Sequence, residues 1–171
     1  MSYLFIMLIV GVAIVAAGIV RVPPNSILII ERFGKFQKAV VHGTHFRIPL
    51  IEQVSGFVST LPGIDTLKVS AATETAEVIH LTLSLDWEIL NTAAETVARV
   101  FYLYRDGAKR KAMLSEFVKR KVADFFFNRS KLIVGSDYDA LSIDLKLQME
   151  RYMKDMGYKL MRLQIKDLYQ D

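Results

Sequence analysis

An α+β fold led by a membrane-spanning helix is what this 171-residue sequence predicts, on three observations. The stretch from Ser2 to Val20 carries no charge. A strictly alternating strand pattern gives way to helical spacing after Asn91. Period two then returns close to the C-terminus.

The leading segment comes first. Nineteen uncharged residues, Ser2 to Val20, rise about 1.5 Å each to roughly 28 Å, close to the thickness of a bilayer's hydrocarbon core. A cleaved signal would begin with Lys or Arg, and here none precedes Arg21. An interfacial helix needs a polar face, which Ser2 and Tyr3 at one end do not make. A core helix this apolar all round is unusual in so small a domain. Residues 1–21 are therefore read as a transmembrane anchor, with Tyr3, Phe5, Gly11, Ala13, Ala17 and Gly18 among its spanning residues, and residues 22–171 as one domain. Ala13 and Ala17 have the four-residue spacing that lets membrane helices approach, a pattern equally common in ordinary spans. Arg21, Arg32, Lys35, Lys38 and Arg47 all follow the span, which puts the main domain on the cytoplasmic side.

Beyond the span, Val22-Pro23-Pro24-Asn25 breaks the helix. Short strands are expected over 26–33, 36–41, 44–48 and 53–60, the first two joined as a hairpin through Gly34. Ile79, Leu81, Leu83, Leu85, Trp87 and Ile89 alternate with polar residues, giving one buried and one wet face. Helices are expected over 92–104, ended by Asp106-Gly107, over 108–128, and from a cap at Asp139 to Gly157. The inner stripe of the last is Leu141, Leu145, Met149, Tyr152 and Met156, and a closing strand carries Met161, Leu163 and Ile165.

The residues at these joints resemble the SPFH (Band 7) family of stomatins, prohibitins and flotillins. The resemblance is carried by Val22-Pro23-Pro24, by Ile27 through Glu31-Arg32-Phe33-Gly34-Lys35, and by Gly43-Thr44-His45-Phe46-Arg47-Ile48-Pro49. It continues through Thr73 and Glu74 and closes at Gly157-Tyr158 and Leu163 to Leu168. Two departures stand out: His42 occupies a usual proline position, and the chain stops at Asp171 without the family's Ala/Glu-rich coiled coil. That coiled coil builds the walls of the large cages of similar proteins, so the expectation here is a ring of membrane helices and packed domains.

Several clusters have both a functional and a plain reading. His42 and His45 have a spacing that suits a metal only on a helix, and His45 reads as a turn residue donating to a backbone carbonyl. Ser84, Asp86, Glu88 and His80 share a strand face and allow an anchored hydrolase to be imagined, yet no nucleophile elbow, phosphate loop or zinc motif accompanies them. Lys109, Arg110, Lys111, Lys119, Arg120 and Lys121 form a basic run, read as a solvated face, as a contact for an acidic neighbouring subunit, or as an anionic-lipid surface. Phe125, Phe126 and Phe127 cannot share one helix face, so loop packing, a neighbouring subunit or the membrane surface takes at least one.

With no cysteine, disulfides and thiolate metal sites are excluded, and a net charge of +4 suits lipid headgroups while falling short of a nucleic-acid signature. The resemblance implies a non-enzymatic, cofactor-free homo-oligomer that corrals membrane lipid and holds or regulates other membrane proteins, such as a protease or channel. The alternatives are a small anchored adaptor that binds one partner or anionic lipid, and the anchored hydrolase.

Overall fold

The computed structural model of the chain describes residues 2–72, 78–126 and 136–170. They form two compact units, one made of Met1–Leu61 with Thr92–Phe101 and the other of Pro62–Asn91 with Tyr102–Asp171.

The first unit begins with α1, Ser2–Gly18, whose 17 residues span about 26 Å. This corrects the expected span of Ser2 to Val20, because Ile19–Val22 form strand β1 and pair antiparallel with β4, Gly43–Phe46. The cause is local. The Gly18 carbonyl accepts a hydrogen bond from the Arg47 amide (2.8 Å), and the β-branched run that follows suits a ladder better than a helix. Pro23-Pro24 therefore follows a strand and not a helix. Among the described residues no helix is long and apolar enough to cross a membrane.

Strand β2, Ser26–Arg32, lies between β3, Lys35–Val40, and β5, Glu52–Ser59, in an antiparallel sheet. Ile27 to Ile30 are all buried, so both faces of this strand are covered, Leu28 and Ile30 packing with Val22 of β1. Helix α2, Ala94–Leu103, buries Val97, Val100 and Phe101 at the expected spacing.

The second unit is a three-stranded antiparallel sheet in the order β6-β7-β8 (Gly63–Ala72, Val78–Ile89 and Tyr158–Gln170). Helix α3, Gly107–Phe126, lies over β6, and α4, Ser136–Met156, over β8. Leu67, Leu83 and Leu85 from the sheet and Leu114, Val118, Leu141 and Leu145 from the helices are among the side chains of the buried layer. Strand β6 is absent from the sequence reading, and β8 is longer than expected. Asp106, expected to end α2, instead caps α3: its carboxylate accepts from the Ala108 amide at 2.9 Å. Helix α4 starts three residues before Asp139, which is exposed, and its inner stripe includes Met153 where Tyr152 was expected. Tyr152 stacks on Phe117 instead, with ring centroids 4.2 Å apart.

Candidate functional site

Two turns of the first unit place bulky apolar residues in backbone conformations that ordinarily select glycine or asparagine. The β2–β3 hairpin turns through Phe33 and Gly34, with φ of 51° and 75°. Two successive positive φ angles are the requirement of a type I′ turn, whose first position favours Asn or Asp. Phe33 takes that place and is 79% exposed. In the second turn the Ile48 carbonyl accepts from the amides of Ile51 (3.4 Å) and Glu52 (2.8 Å). Pro49 occupies the position that pre-sets a type II turn, and Leu50, at φ 70°, occupies the one that favours glycine. Leu50 is 100% exposed. Asn25, at φ 56°, shows the ordinary solution elsewhere in the same unit.

Glu52 fastens both turns from beneath and is only 3% exposed. One carboxylate oxygen accepts from Arg32 Nη2 at 2.8 Å. The other accepts from the Ile48 amide at 3.0 Å and lies 3.4 Å from Lys38 Nζ. The Glu52 carbonyl accepts from Arg47 Nη1 at 2.8 Å. The Ile48 amide first, then the Arg32 guanidinium, hold the Glu52 carboxyl below the ordinary carboxylate range, and Lys38 adds to this while burial opposes it. An ionised Glu52 thus fixes the attitude of both tips. A hollow of about 350 Å³ lies between them, lined by Phe33, Arg47, Leu50, Ile51, Glu52 and Gln53.

This end of the unit is continuous with α1. Arg47 donates its amide to the last helical residue, Gly18, while its guanidinium reaches Glu52. Gly18, expected among the spanning residues, is buried under β4, and a Cβ there would overlap the Phe46 ring and the Arg47 carbonyl. Its small size serves this joint. Gly11, by contrast, has open space around it.

The second unit carries a different ionic lock. Arg110, expected on an exposed interface face, turns inward and is 8% exposed. It grips Asp65 through Nε (3.0 Å) and Nη2 (2.9 Å), and its guanidinium lies 4.2 Å above the Trp87 ring. Lys111 approaches the other oxygen of Asp65 at 3.5 Å. Tyr158 packs edge-on against Trp87 and donates its hydroxyl to the Tyr104 carbonyl. Burial raises the Tyr158 pKa above its ordinary value, with Arg110 opposing.

The remaining predicted residues are dispersed. Lys109, Lys119 and Arg120 are exposed on α3, and Lys121 pairs with Asp124 at 3.7 Å. Phe125 is half-buried, and the side chain of Phe126 and the whole of Phe127 lie outside the described residues, as do Thr73, Glu74, Asn128, Arg129 and Lys131. His45 donates Nε2–H to the Val41 carbonyl at 2.7 Å, which is the turn role expected of it. Glu31 lies opposite Gln53, Gly43 lies opposite Val22, and Pro49 sits in the second turn. On the imagined hydrolase face Ser84 is buried, His80 bonds Ser70 at 2.9 Å and stacks on Tyr169, and Glu88 and Asp86 face Lys159 and Arg162.

Sequence reasoning singled out Arg32, Phe33 and Pro49 but missed Leu50, Glu52 and Asp65. Pro49 was visible as the end of its motif; the positive φ of Leu50 after it was not.

Residues 20–171 match the SPFH domain / Band 7 family, so the chain belongs to that family. Its members are generally membrane-associated, non-enzymatic scaffolds. No curated protein matches the chain.

Proposed function

We propose that this protein is a membrane-anchored scaffold whose copies associate side by side and hold other membrane proteins in place. One observation carries the reading. Every large apolar side chain described on α1, from Tyr3 to Val15, is exposed, and no charge interrupts them. In water such a surface is far larger than soluble monomers present, whereas in hydrocarbon its exposure costs nothing. At 17 residues α1 alone is too short to cross an undistorted bilayer core, and lipid adjusts to such mismatch by thinning at modest cost. Because β1 joins α1 to β4 without a linker, the first unit lies against the membrane surface and not at the end of a tether.

Anchoring raises the effective concentration of the copies, so weak lateral contacts suffice for assembly. Exposed Ile143 and Leu147 on α4 and the exposed basic residues of α3 support such contacts. The clients implied by the family resemblance are membrane proteases or channels, and the main domain is read on the cytoplasmic side. Negative-stain microscopy of membrane-extracted protein tests the assembly. Uniform multi-subunit particles are expected, and single 19.4 kDa chains in micelles would contradict it.

A further inference from the structure

The two outer strands of the second sheet are built differently. Strand β8 pairs with β7 through two bulges, where the register passes over Met161 and Lys166. Bulges of this kind blunt an edge against further pairing. Strand β6 carries none: its ten residues pair with β7 from Gly63 opposite Trp87 to Ala72 opposite Val78 without a break. It also ends the strand order, so among the described residues its outer row of amides and carbonyls has no backbone partner. A long, regular, open row is a template for one more strand.

We infer that β6 is a docking edge for an extended acidic segment of a partner protein, which joins the sheet as a further strand. The inference rests on the proposed scaffold role for the partner's being a held protein, and specifies how the second unit grips it.

Charge selects the occupant. The exposed side chains of β6 are Ile64, Thr66, Lys68 and Ser70, a single row on the sheet face opposite buried Leu67 and Val69. On the covered face Lys111 of α3 approaches Asp65 at 3.5 Å with 48% of its side chain exposed. Ser115 and Lys119 follow it at four-residue spacing. Phe117 turns toward α4 to stack on Tyr152, so this line of α3 lies on the side away from α4, above the open edge of β6. Lysines thus flank the edge on both faces, while its own carboxylate, Asp65, is buried and held by Arg110. Two copies of this edge laid together would set lysine against lysine, whereas an acidic strand meets opposite charge. Ile64, 68% exposed, offers that strand an apolar contact.

The test titrates the full-length chain, in detergent micelles, with a capped peptide of alternating Glu and Val residues. Hydrogen exchange of Gly63–Ala72 is followed by mass spectrometry. The outward amides of β6 exchange readily without a partner. They should become protected as the peptide is added, while β8 does not change. Lys68→Glu, at an exposed position, should weaken the peptide about fivefold. A peptide N-methylated at consecutive residues keeps the charge but loses the strand donors, and should not protect β6; nor should a peptide with Lys in place of Glu. Absence of protection by the acidic peptide overturns the inference. Equal binding of the N-methylated peptide overturns strand addition, and equal binding of the lysine peptide overturns the acidic partner. Protection that grows with protein concentration alone would make a second copy the occupant and overturn it too. All four results leave the scaffold reading standing, since particle size in the micrographs decides that separately.

Discussion

Each of the two units contains a nearly inaccessible carboxylate clasped by basic side chains, yet the clasps serve opposite ends. In the second unit Asp65 draws Arg110 inward, and the guanidinium covers Trp87. Apolar surface is closed off. In the first unit Glu52 gathers Arg32 and Lys38 and the Ile48 amide, and what it secures is the outward display of Phe33 and Leu50. The same interaction stabilises a core in one place and an exposed, strained surface in the other. The difference teaches that ion-pair geometry alone does not reveal purpose; the direction of the apolar side chains it positions does.

Breaking the inward clasp should have the largest effect. Arg110→Ala leaves Asp65 buried without the guanidinium that grips its Oδ2, and a loss of about 3–5 kcal/mol is expected in urea unfolding of the second unit. Trp87, the single tryptophan, reports it. Unchanged stability would show that Asp65 is as well solvated as a surface carboxylate.

Glu52→Gln keeps the shape but removes the charge that holds Arg32 and Lys38, and should cost about 1–3 kcal/mol. Hydrogen-exchange protection of β2 and β5 reads it. The two units also separate by pH. A lowered carboxylate pKa means the folded first unit binds fewer protons than the unfolded chain, so its stabilisation is full above the ordinary carboxylate pKa and drains as pH falls through the lowered one. Tyr158 is opposite in sign. Its raised pKa favours the neutral phenol in the fold, so the second unit loses stability as pH rises above about 10. Protection of β5 should therefore fade first in acid, and Trp87 packing first in alkali.

The smallest effect has the most telling direction. Leu50→Gly and Phe33→Asn place favoured residues at φ 70° and 51°, and each should stabilise the first unit by about 1 kcal/mol, measured by exchange protection away from lipid. Destabilisation would mean that the side chains contribute to packing and are not display groups.

Much of the fold was legible because hydropathy there was set locally. The alternation of Ile79 to Ile89, the Phe33-Gly34 turn and the stripe ending at Met156 each need only near neighbours to form. What escaped depended on distant partners. Strand β6 begins with Ile64 facing out and Asp65 facing in, a reversal of the usual pattern that makes sense only once Arg110 arrives from 45 residues away. The end of α1 was missed because Ile19 and Val20 are as apolar as a span requires, and only β4 makes them a strand. Of the site, Arg32 and Phe33 were identified through their motif, while Glu52 was not, since its partner lies 20 residues earlier. Leu50 was not legible at all, because sequence does not display φ.

The central claim, that the α1 end of this chain belongs in lipid, is tested most directly by floating the full-length protein with preformed vesicles through a density gradient after an alkaline wash. The protein should rise with the vesicles and resist the wash. A chain left at the bottom of the gradient as a dispersed, water-soluble particle would contradict the account.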